Sequence, residues 1–119
     1  MIEKKYRLKK ANDFQTIILS QQVEKNQSFS IYYLITENNT THVGLSVSKK
    51  LGNAVIRNKI KRQVRHMTKN LIDFTKNIDL VVIVRANYKK NIFSKNQDLL
   101  SDLLKRVWRK IDEQNKKVA

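Results

Sequence analysis

The chain has 119 residues, 25 of them Lys or Arg and 10 Asp or Glu, for a formal net charge of +15. That length suits one domain, residues 1–119, and 40% hydrophobic content supplies a core, which excludes a disordered basic tail. Without Cys there are no disulfides, thiolate zinc sites or cysteine nucleophiles; no stretch approaches the roughly 20 apolar residues of a membrane span and the basic start lacks a secretory apolar block, so a cytoplasmic, non-membrane protein is expected.

Asn12, with Gln15 three residues on, has the pattern of a helix cap, and Phe14, Ile17 and Ile18 recur on one face, predicting a first helix over residues 12–21. Residues 28–36 alternate Phe29, Ile31, Tyr33 and Ile35 against Ser30, Tyr32 and Leu34, the period of a strand. After turn-forming residues 37–41, Val43, Leu45 and Val47 alternate with Gly44, Ser46 and Ser48, and the two strands are expected to form an antiparallel hairpin. Gly52-Asn53 ends the extended run, with Asn53 capping a helix to about residue 72. Residues 79–86 are almost continuously apolar, as in a central strand buried on both faces. Ser94 and Gln97 match a capping box for a last helix whose stripe is Leu100, Leu103, Leu104, Val107 and Ile111. This order of elements makes an α+β domain.

The charge is unevenly spread. Between residues 38 and 72 there are eight Lys or Arg and no acid, so just over half the net charge lies in under a third of the chain. Such concentration implies a polyanionic partner, most commonly nucleic acid. On the helix after Asn53, Ile56, Ile60, Val64, Met67 and Leu71 share one side, while Arg57, Asn58, Lys61, Arg62, Arg65 and Lys69 share another. Ordinary surface helices interleave Glu and Asp to gain i,i+4 pairs; this one has no acid before Asp73. A cationic ridge laid against phosphates accounts for the pattern better than a solvated face does.

Residues 43–65, VGLSVSKKLGNAVIRNKIKRQVR, resemble the signature of the protein subunit of bacterial ribonuclease P, whose hallmark is an arginine- and asparagine-rich "RNR" motif. The likeness extends through RLKKANDF at residues 7–14, the strand with Tyr32, the DLVVIVR strand and the final helix. It implies a single-domain α/β sandwich: a small, mostly antiparallel sheet of about four strands with three helices, ordered α-β-β-β-α-β-α, the additional short strand falling near Val23, with a left-handed crossover. It also implies contact with the catalytic RNA through Lys49, Lys50, Gly52, Asn53, Arg57, Asn58, Lys61, Arg62 and Arg65. A cleft gripping the single-stranded 5′ leader of precursor tRNA would use Phe14 and Tyr32, with Arg7 and Lys10 beside them. From the residues alone Phe14 reads more readily as core, whereas Tyr32 lies opposite its strand's most apolar face. The sequence departs from the family at Ile18, where an aromatic is common, and at Ser20-Gln21-Gln22, where a glycine usually ends the first helix.

His42 and His66 lack partners at metal-ligand spacing, the acids are scattered, and no nucleophile-base pair or phosphate-cradling glycine loop occurs. Trp108 reads as a packing residue. The expectation is a binder without its own chemistry: the resemblance implies that the RNA subunit, with Mg²⁺, hydrolyses the phosphodiester, and no cofactor is expected on the protein. Its implied partners are ribonuclease P RNA and the precursor-tRNA leader, with one protein monomer per RNA and no DNA. A structural RNA-binding protein, such as a ribosomal component, shares the charge and size; a stand-alone nuclease is disfavoured by the scattered acids.

Overall fold

In the computed structural model, which describes residues 4–8, 11–37 and 40–118, the elements are α1 (Ala11–Leu19), β1 (Val23–Lys25), β2 (Phe29–Ile35), β3 (His42–Val47), α2 (Ala54–Leu71), β4 (Ile78–Val84) and α3 (Phe93–Val118). Short 3₁₀ turns occupy Lys4–Tyr6, Lys49–Leu51 and Ala86–Lys90. The four strands form one sheet in the order β1-β2-β4-β3; β1 and β4 both run antiparallel to β2, and β3 runs parallel to β4. The strand near Val23 is present.

The expected β2–β3 hairpin does not form. Strand β4 lies between them: its Leu80, Val81 and Val82 are completely buried, with helices packed on both sides of the sheet, the character of a central strand. The link from β3 to β4 is therefore a parallel crossover through α2. Strand alternation sorts the sheet into two faces. Phe29, Ile31 and Tyr33 of β2, Val43 and Val47 of β3, and Ile78, Leu80, Val82 and Val84 of β4 join Ile60, Val64 and Met67 of α2 and the predicted α3 stripe, all buried, in one core. Trp108 packs against its edge. On the opposite face α1 buries Ile17.

Helix boundaries follow local hydrogen bonds. Asn53 caps α2 as expected, its side-chain oxygen accepting the Ile56 N–H at 3.0 Å. Helix α1 begins at Ala11, which puts Asn12 inside its first turn rather than at its cap. Helix α3 also begins earlier than the capping-box reading: the Ile92 carbonyl accepts the Asn96 N–H and Ser94 lies in the first turn. Tertiary polar bonding overrides the local motif here. Asn96 is buried, donates to the Tyr88 carbonyl at 2.9 Å and accepts from the Ser28 hydroxyl at 2.8 Å.

Helix α1 ends without its glycine. Gln21 takes the left-handed conformation (φ 61°), with its N–H on the Ile18 carbonyl, while Ser20 Oγ lies 2.6 Å from the Ile17 carbonyl and 3.1 Å from that of Tyr33. These bonds tie the helix end to β2 and hold a backbone conformation that costs a non-glycine residue about 1 kcal/mol. Gln21→Gly is expected to stabilise the protein by about 0.5–1 kcal/mol, read as a higher urea midpoint at unchanged m value.

Candidate RNA interface

The ridge on α2 exists because the sheet takes only one side of the helix. With Val64 and Met67 completely buried and Ile60 nearly so, Arg57, Lys61 and Arg65 fall half-buried on the flank and Asn58, Arg62 and Lys69 face outward. Long side chains at half-buried positions of this kind can cover apolar surface with their stems while keeping a charge near solvent. None of Lys49, Lys50, Arg57, Lys61, Arg62 and Arg65 forms an ion pair with a described residue. Arg57 Nε is buried with no hydrogen-bond partner among the described residues, a donor that an incoming acceptor would satisfy.

The turn before α2 extends this surface. Ser48 Oγ accepts the Lys50 N–H at 3.1 Å and Leu51 is buried, which leaves Lys49 and Lys50 exposed. Gly52 has φ 146°, a backbone conformation that side chains rarely adopt, and a Cβ there would also press on the Ile56 side chain at 3.0 Å. Its role is to turn the chain into α2. The first turn of α2 contains no acid, so the positive end of the helix dipole adds to the charge of the two lysines.

A cavity of about 110 Å³ lies at the edge of β3. Phe14 from α1, Arg7 from the N-terminal segment and Arg65 from the ridge meet there, with Gly44, Leu45 and Thr68 among the lining residues. Arg7 is placed by a parallel bridge to Val43, continued by the Leu8 N–H on the Val43 carbonyl at 3.0 Å. Phe14 is half-buried: its ring lies over Gly44, where a Cβ would come within 2.5 Å of ring carbons. The ring packs on backbone yet lines an opening with two arginines.

Tyr32 shares the sheet face of Gly44 through the cross-strand row Tyr32–Val81–Gly44, about 10 Å away across two strand spacings, and does not line this cavity. Ile18 is half-buried. Lys10 lies outside the described residues. His42 is a satisfied histidine, Nδ1 at 2.9 Å from Asp79 Oδ1 across the β3–β4 pair, and His66 Nε2 lies 3.3 Å from Asn70 Nδ2. No group of three or more His, Asp or Glu able to hold a metal ion comes together among the described residues.

The other flank of α2 carries a feature that the sequence does not announce. Tyr88, buried against Phe29 with ring centroids 5.6 Å apart, donates its hydroxyl to Gln63 Oε1 at 2.8 Å. Burial pushes that hydroxyl up to about 12, so it stays a donor across the working pH range. Ile56, expected to be buried with the apolar stripe, is 37% exposed at the rim of this flank. The available signal is Gln63 and Lys59 bordering the stripe, but nothing local to α2 points to Tyr88, 25 residues on from Gln63.

The family model described as Ribonuclease P matches residues 2–110. The chain belongs to that family. A ribonuclease P protein component of Mesoplasma florum is 43% identical over 101 residues, covering 83% of this chain and 92% of the relative. The Staphylococcus aureus RNase P protein structure is 39% identical with a TM-score of 0.76, covering 86% of this chain and 94% of that one. The Thermotoga maritima RNase P protein superposes with a TM-score of 0.73 at 31% identity, covering 84% and 96%. The small α+β architecture with a four-stranded mixed sheet and three helices is that of the family.

Proposed function

We propose that this chain is the protein subunit of a ribonuclease P ribonucleoprotein, holding the catalytic RNA on the α2 ridge and the single-stranded 5′ leader of precursor tRNA beside Phe14, and so promoting removal of the leader. The observation that carries the reading is the position of Arg65. It belongs to the acid-free ridge and also lines the cavity with Phe14 and Arg7, so one rigid helix edge joins a surface for structured RNA to a cleft suited to a single strand. A flat aromatic flanked by guanidinium groups accepts an unpaired base of any sequence while the cations follow its phosphates. Family membership sets this chemistry in a ribonucleoprotein enzyme. Mg²⁺ in this reading belongs to the RNA subunit, and no chemical step is routed through the protein. The protein's work is to neutralise phosphates so that two polyanions approach, and to position the leader. It acts in the cytoplasm as one monomer per RNA.

Adding the protein to ribonuclease P RNA at low Mg²⁺ is expected to restore cleavage and to tighten binding of leader-bearing precursor more than of mature tRNA. Equal tightening of both substrates with no gain in cleavage would favour a purely structural RNA binder.

A further inference from the structure

A second cavity, of about 350 Å³, opens on the flank of α2 away from Phe14, between Ile56, Lys59, Ile60 and Gln63 of the helix and Tyr88, Lys89 and Asn91 of the turn before α3. Its volume is at the low end of the about 300–1,000 Å³ typical of small-molecule pockets. Its chemistry is divided. Ile56 and Ile60 form an apolar wall, and Lys59 and Lys89 stand exposed at the rim. Polar groups converge on it in fixed orientation. The Tyr88 hydroxyl occupies Gln63 Oε1, which turns the Gln63 amide so that Nε2, with two N–H donors, has no partner among the described residues. Asn91 donates its Nδ2 to Ser28 Oγ at 3.3 Å, leaving Oδ1 as an acceptor.

Two features identify the occupant. Both segments that build the cavity lack acids, with none between Glu37 and Asp73 and none between Asp79 and Asp98, so every Lys or Arg they contribute adds positive charge without a local acid to offset it. Apolar surface also continues past the rim: Phe93 is 37% and Ile92 73% exposed, and the Phe93 ring lies 6.2 Å from the ring of His66, one helical turn beyond Gln63. An open groove with an apolar wall, an amide edge, lysines at its rim and an aromatic step beside it matches one nucleotide turned out of a helix, its base laid against the wall and its phosphates toward the lysines. We infer that this cavity accepts a single unstacked nucleotide of the RNA subunit, its base against Ile56 and Ile60 with its edge on Gln63 Nε2 and its phosphates on Lys59 and Lys89. Given the proposed function, α2 is then held on both sides: by phosphates on the arginine flank and by one base on the other.

The test uses the reconstituted ribonucleoprotein with Ile56→Ala and Gln63→Ala, both at positions outside the buried core, and Tyr88→Phe, which keeps the ring and removes the hydroxyl that orients Gln63. Each variant is expected to weaken assembly on the order of 10-fold. Nucleotide-resolution chemical probing should show one unpaired nucleotide of the RNA protected by wild-type protein and exposed with Gln63→Ala. Circular dichroism should show unchanged folding. If the three variants assemble with wild-type affinity and the same protections while Arg57→Ala weakens assembly, the nucleotide pocket is refuted and the ridge reading stands; failure of wild-type protein to bind the RNA at all refutes both. Concentration-dependent dimers of free protein that Ile56→Ala abolishes, with unchanged RNA affinity, would make the groove an interface between copies and overturn the proposal.

Discussion

Arg57→Ala combined with Arg62→Ala is expected to weaken assembly with ribonuclease P RNA severely at low salt and much less at high salt. Every phosphate left without its arginine takes about 0.7–0.9 off the slope of log affinity against log salt, so the double variant has a slope smaller by about 1.4–1.8. Between 50 and 200 mM salt the gap between wild type and variant should narrow about ten-fold. This diagnostic is specific to counterion release, since a misfolded variant would lose affinity at all salt concentrations. Both side chains lie off the buried stripe and neither forms an ion pair with a described residue, so folding should be spared. Arg57 carries an added consequence because its Nε is buried and unpartnered: removing it relieves a desolvated donor in the free protein, while the complex loses a bond. An unchanged slope would mean that these arginines do not sit on phosphate.

The second large effect is expected at Phe14. Phe14→Ala should leave assembly with the RNA subunit intact and weaken binding of leader-bearing precursor by about 5- to 150-fold, the range for loss of one aromatic–base stack, with little change for mature tRNA. Gly44→Ala provides a partner experiment that keeps the ring. Its new Cβ would stand 2.5 Å from the Phe14 ring carbons, so the ring must move off the strand. The same selective loss of precursor binding is expected, together with destabilisation of about 1–3 kcal/mol from overpacking. If Phe14→Ala instead unfolds the protein by circular dichroism, the residue is core. If it leaves precursor binding unchanged in a folded protein, the cavity at the β3 edge does not hold the leader.

The ridge is legible in the sequence because everything that makes it is local. Asn53 caps, the 3.6-residue period puts Ile60, Val64 and Met67 on one side, and the absence of acids up to Asp73 does the rest. The α3 stripe is legible for the same reason. Strand pairing is not, because adjacency in sequence favours a β2–β3 hairpin whereas the two-sided apolar character of β4 demands the centre of the sheet. The start of α3 departs from the capping pattern at Ser94 because a buried network of Ser28, Tyr88 and Asn96 outweighs it. Ile56 differs from expectation by one step of the wheel, at the edge where the apolar stripe gives way to the open groove.

The net charge of +15, its concentration in one acid-free segment and the two-sided helix within that segment follow from the sequence alone, since charge count and helical period depend on nothing distant. Folding decided which cations meet an aromatic. Gly44 reads in sequence as a small residue in a strand; only the packed sheet shows that it admits the Phe14 ring, and only the bridge of Arg7 to Val43 and the docking of α2 beside β3 bring Arg7 and Arg65 to that ring. Likewise Gln63 and Tyr88 become one polar edge only because the crossover through α2 sets that helix against the turn after β4. A surface's charge is a sum over residues, but a cleft is a coincidence of backbone positions far apart in the chain, and the hydrophobic packing of the sheet fixes those positions.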